Sequence, residues 1–146
     1  LTLSPHPRLT RLLKLELNPD HFVVFGSAPL LMHGLRDEVS DLDVVARGAA
    51  WERASTLAES LVTSSLGGMM ASFDNGAIQV STGWISPGWR PDDLIDGAEI
   101  IAGIRFARLD QVLEYKRQLR REKDLKDIEV LERRLQAGDD NDRPTP

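Results

Sequence analysis

Asp41 and Asp43 stand one residue apart, and Gly26-Ser27 closes an apolar run, Phe22-Val-Val-Phe25, shortly before them. In an extended strand the two carboxylates leave one face with about 6.6 Å between their Cα atoms, close enough to converge on one or two divalent cations. Aspartate is disfavoured inside strands, so a pair flanked by Leu42, Val44 and Val45 requires a reason. The plainer alternative is an edge strand whose polar face is solvated. At the Gly-Ser turn, Gly26 lets the backbone approach a ligand, and the N–H groups opening the next helix point towards an anion. Ser27 can cap that helix or donate to a phosphate. A phosphate-binding turn beside a carboxylate pair forms two halves of a nucleoside triphosphate site. Mg²⁺ takes one or two carboxylates together with phosphate oxygens and waters.

The elements that must position these residues alternate in type. Leucines 9, 12, 13, 15 and 17 predict a short helix, stopped at Asn18-Pro-Asp20. Phe22–Phe25 reads as a central strand, residues 28–33 as a short helix ending at Gly34, and residues 41–46 as the aspartate strand. Trp51–Val62 has the stripe of a second helix, and Thr63–Gly68 reads as a loop. Met69–Phe73 and Ala77–Thr82 flank Asp74-Asn-Gly76, a hairpin signal. A loop with Trp84 and Trp89 follows, then a short helix from Pro91, a strand over 99–106, and helices over 109–120 and 123–135. The expectation is an α/β (α+β) fold, a mixed sheet with flanking helices and a helical C-terminal end. One domain over residues 1–138 and a disordered polar tail over 139–146 are expected.

Cysteine is absent, which leaves oxygen and imidazole as the only metal donors. No run of about 18 apolar residues occurs, so no membrane span is expected, and no secretory pattern opens the chain. A cytoplasmic protein is the expectation. The net charge of −5 is unevenly spread: residues 37–99 carry −8 and residues 105–134 carry +3. An acidic middle and a basic end suit a site taking both metal ions and a polyanion; solvated helix faces explain the basic end equally well.

Gly26-Ser27, Gly34-Leu-Arg36 and Asp41-Leu-Asp43 resemble the signature of the nucleotidyltransferase-fold superfamily, the DNA polymerase beta-like proteins. The stretch Leu30-Leu-Met-His-Gly-Leu-Arg36 is most similar to the small bacterial AbiEii-like members. The resemblance implies transfer of a nucleoside monophosphate from an NTP to a hydroxyl acceptor: an RNA end, a protein or a small molecule. Mg²⁺ or Mn²⁺ would be held by Asp41 and Asp43. Gly26 and Ser27 would contact the triphosphate, and Arg36, Lys116 or Lys123 would offset its charge. A toxin–antitoxin setting is implied by the small bacterial members. The family commonly carries a third carboxylate on the strand after the hairpin, and here the matching position is Gln79. An amide is neutral at every pH and is a poorer metal ligand. The enzyme is the leading expectation, with a catalytically impaired nucleotide-binding or interaction module of the same fold as the alternative.

Overall fold

The computed structural model describes residues 6–63, 68–82 and 90–142. The chain divides into two compact units, Leu1–Ala107 and Arg108–Pro146.

In the first unit, α1 (Pro7–Lys14) starts two residues before the expected helix and ends three residues sooner. Pro7 occupies the first turn, where its missing N–H costs nothing, and the His6 side chain accepts from the Arg8 N–H. A 3₁₀ turn (Pro19–His21) leads into β1 (Phe22–Phe25), all four residues of which are buried. Next come α2 (Ala28–Met32), β2 (Leu42–Ala46) and α3 (Gly48–Leu57). β3 (Ser60–Thr63), β4 (Met69–Phe73) and β5 (Ile78–Ser81) follow, then α4 (Pro91–Asp96), β6 (Glu99–Ile101) and β7 (Ile104–Phe106).

The seven strands form one sheet in the order β3-β4-β5-β2-β1-β7-β6. The β1–β7 and β2–β5 pairs are parallel and the others antiparallel, so the sheet is mixed and the α/β class holds. Alternate residues Leu42, Val44 and Ala46 of β2 enter a core shared with Leu9 and Leu12 of α1 and Ala50 and Ala54 of α3. That core turns Asp43 to the opposite face, because successive strand residues point to opposite sides.

Two expectations for this unit are corrected. The helix expected over Trp51–Val62 stops at Leu57, where Ala58 turns extended (φ −60, ψ 140). Leu61 and Val62 lie instead on edge strand β3, paired with Ala71 and Met70. Their helical spacing is short enough to be mimicked, and Val62 and Thr63 are β-branched residues that favour a strand. The single strand expected over 99–106 is a hairpin, β6–β7, turning at Ala102 (φ 52) and Gly103 (φ 83). Alanine with a positive φ is uncommon, which hid the turn. By contrast the hairpin at Asp74 (φ 54), Asn75 (φ 58) and Gly76 (φ 89) has the left-handed backbone its sequence announces.

The second unit is a helical hairpin of α5 (Leu109–Leu119) and α6 (Glu122–Asp142). α6 continues past Gly138 to Asp142, into the stretch expected to be a disordered tail; one interior glycine costs a helix only about 1 kcal/mol, and no proline intervenes before Pro144. Residues 143–146, the loop residues 64–67 and the segment with Trp84 and Trp89 lie outside the described residues. Among the described residues no helix is long and apolar enough to cross a membrane.

Candidate functional site

Strand register brings the two sequence motifs together. In the antiparallel β1–β2 pair Phe25 lies opposite Asp43, so the Gly26 turn follows directly beside the aspartate. In the parallel β2–β5 pair Asp43 is matched with Gln79, and Gln79 is matched with Ser72 of β4. Partner positions share a face, so Ser72, Gln79, Asp43 and Phe25 form one row across four strands. Asp43 is exposed between the buried Leu42 and Val44. Asp41 is also exposed; it precedes the strand, which opens with the Leu42 N–H donating to the Ala77 carbonyl at 2.8 Å.

Gly26 takes φ +70, and a Cβ built there would fall 2.9 Å from Asp43 Oδ2. The carboxylate therefore packs over the bare Cα of Gly26. Gly26→Ala is expected to cost roughly 1–2 kcal/mol from the left-handed backbone alone and to push the Asp43 carboxylate aside. Denaturant unfolding measures the first effect and divalent-ion titration the second. An alanine variant with unchanged stability and metal affinity would contradict this geometry.

Ser27 does occupy the N-cap position of α2, yet its side chain does not cap the helix. Its backbone is already helical (φ −92, ψ −11), which aims the hydroxyl away from the first-turn N–H groups. Instead the hydroxyl accepts from Arg36 Nη1 at 3.4 Å. Gly34 (φ +73) makes this possible: it reverses the chain after α2, with the Leu35 N–H donating to the Leu30 carbonyl at 2.8 Å. Arg36 Nε also donates to the Glu38 carbonyl at 3.1 Å. Gly26, Ser27, Arg36, Asp43 and Gln79 thus belong to one region of the first unit. α2 has five residues, so any anion there would depend on individual turn N–H groups more than on a helix dipole.

Lys116 and Lys123 lie in the second unit. Lys116 is 4 % exposed, with its ammonium 3.4 Å from Asp124 Oδ1 and 3.2 Å from Asp127 Oδ2. Its charge is used inside the helical hairpin. Lys123 is exposed on the first turn of α6. Burial, the largest influence on Asp124, pushes its carboxyl up. The Arg121 hydrogen bond and the Lys116 and Arg121 charges together outweigh it and hold the group below the ordinary aspartate value.

Several pairings escaped the linear sequence. His33, at the end of α2, pairs through Nε2 with Glu99 Oε2 at 2.7 Å across 66 residues. Asp74, at the tip of the β4–β5 hairpin, is held by Arg11 Nε at 3.1 Å across 63 residues. Arg47 forks between Asp92 (2.9 Å) and Asp96 (2.8 Å) of α4. The Arg47 hydrogen bond, the leading cause, lowers the Asp96 carboxyl. No short-range signal marks these partners. A cavity of about 410 Å³ opens at the far end of β2, lined by residues that include Arg47, Trp51, Thr82 and Arg90; none of the sequence-predicted site residues lines it.

Among the described residues no group of three or more His, Cys, Asp or Glu side chains gathers. The Asp43 carboxylate lies against the turn, the Gln79 amide is its register neighbour, and Asp41 just before β2 supplies a second carboxylate. An oxygen-only set of this kind suits Mg²⁺ or Mn²⁺ when phosphate and water complete the shell. No protein-family model matches this chain, and neither a curated protein nor a solved structure matches it.

Proposed function

We propose that the chain is a metal-dependent nucleotidyltransferase, moving a nucleoside monophosphate from an NTP to a hydroxyl acceptor in the cytoplasm. The observation that supports this reading best is the Asp43 carboxylate against Gly26, with Gln79 as its neighbour on β5. The turn N–H groups after Gly26 and the Ser27 hydroxyl would donate to phosphate oxygens. Arg36, already on Ser27, would offset their charge. Asp41 and Asp43 would hold Mg²⁺ or Mn²⁺, and such an ion supplies charge neutralisation on the phosphates when bound. In the transfer, the acceptor oxygen bonds to the α-phosphorus while the bond to the β-phosphate oxygen breaks, releasing pyrophosphate; the hydroxyl proton passes to a base or to water.

Gln79 favours a second reading, a nucleotide-binding module without transfer, because an amide cannot accept that proton as a carboxylate would. Incubation with labelled NTPs, Mg²⁺ or Mn²⁺, and RNA, protein and small-molecule acceptors separates the two. For the enzyme, labelling of an acceptor is expected, and Gln79→Glu is expected to raise it or the metal affinity by about tenfold. Binding of NTP with no labelling in either form favours the module. If neither NTP nor metal binds, both readings fail.

A further inference from the structure

The α5–α6 turn carries more positive charge at its surface than its sequence suggests. Residues 116–127 contain six bases and three acids. In the folded hairpin two of those acids, Asp124 and Asp127, are buried with Lys116. Five bases, Arg117, Arg120, Arg121, Lys123 and Lys126, remain exposed against Glu122. Arg117 reaches Glu132 at 3.3 Å, and Arg121 holds Asp124 at 2.7 Å while its side chain stays 46 % exposed. Among the described residues no ion pair involves Arg120, Lys123 or Lys126. Lys123 and Lys126 are three apart on α6 and so are surface neighbours, with roughly 5–6 Å between their Cβ atoms. Arg120 adopts a left-handed backbone, φ 43 and ψ 38, where glycine is the usual occupant. An arginine there keeps a cation at the tip at a conformational cost.

We propose that this turn is a docking surface for the phosphate backbone of an RNA strand. Clustered guanidinium and ammonium groups complement closely spaced phosphates, with the arginines able to grip them in two-point contacts. Residues 116–135 contain no aromatic residue, and Tyr115 just before them is half-buried, so the phosphate backbone is the main feature the turn can grip. Binding is therefore tolerant of sequence and sensitive to salt. Leu119 and Leu125 are exposed beside the turn, at 39 % and 51 %. Two leucines without an aromatic anchor fall short of the continuous apolar face by which a helix lies in a membrane surface. The inference concerns binding alone and stands whether or not the Gly26–Asp43 site transfers nucleotides.

The test is fluorescence anisotropy of the full chain with an end-labelled single-stranded RNA of roughly 20 nucleotides, over about 50 to 200 mM salt. If four phosphates are engaged, log K against log salt falls with a slope of about −3, at roughly −0.7 per phosphate. Arg120→Gly with Lys126→Gln removes two cations, the first by a residue suited to the left-handed backbone. The expected result is at least about tenfold weaker binding at low salt and a slope shallower by about 1.4. Lys14→Gln, an exposed base of the first unit, leaves binding unchanged. The proposal is overturned by no RNA binding at the lowest salt, or by equal sensitivity to Lys14→Gln. Capture by anionic lipid vesicles without RNA binding also overturns it.

Discussion

Replacing Asp43 with asparagine should reduce Mg²⁺-dependent labelling of an acceptor by roughly 100-fold or more, the scale expected when a metal-binding carboxylate is lost. Stability should change by no more than about 0.5 kcal/mol, because Asp43 is exposed and asparagine keeps its shape. Asp43 has the Gly26 turn on one side and Gln79 on the other, so it adjoins both proposed contacts. Asp41→Asn should act in the same direction. The paired measurement is acceptor labelling together with the thermal midpoint. Undiminished labelling in a well-folded Asp43→Asn protein would remove this aspartate from the chemistry.

The largest stability effect is expected at Lys116. Lys116→Met leaves two nearly buried carboxylates without the cation they share, and breaking a buried pair from one side costs about 3–5 kcal/mol. Denaturant unfolding, followed through the helical signal, reports it. Adding Asp127→Leu to Lys116→Met should recover a large part of the loss, since apolar groups of similar size often replace a buried pair at little cost. A cost below about 1 kcal/mol for Lys116→Met would show that the buried pair contributes little to the hairpin. Kinetics separate this role from the triphosphate contact implied by the resemblance. A structural Lys116 changes stability before NTP affinity, whereas a triphosphate contact raises the apparent KM in protein that is still folded.

The same cluster sets an acid limit. The folded Asp124 carboxyl is held below its unfolded value, so its contribution is complete above the unfolded pKa of about 3.9. It is lost as pH falls from there through the folded value. Removing the Lys116 charge takes away part of that depression and brings the folded value closer to the unfolded one, so in Lys116→Met the acid loss from Asp124 is smaller.

Much of the site region was legible because its chemistry is local. Gly26 and Gly34 adopt positive φ, as a sharp turn and a helix stop require, and Asp74-Asn-Gly76 turns the hairpin with the left-handed backbone those residues tolerate. The alternation of Asp43 with Leu42 and Val44 likewise separates a wet face from a buried one. Boundaries failed where one spacing suited two structures, as at Leu61 and Val62, or where a residue took an unfavoured backbone, as at Ala102.

The amino-acid order by itself therefore determined the α/β class, the glycine turn and the alternation of the aspartate strand. Only the tertiary structure decided that Asp43 packs on Gly26, that Gln79 is its lateral neighbour, and that Ser27 takes Arg36 as partner in place of a helix cap. It also turned Lys116 inward, away from solvent, and joined His33 to Glu99. Local spacing constrains which face of its own element a residue occupies. Strand order, register and helix pairing then select its neighbours, through contacts between residues far apart in the chain.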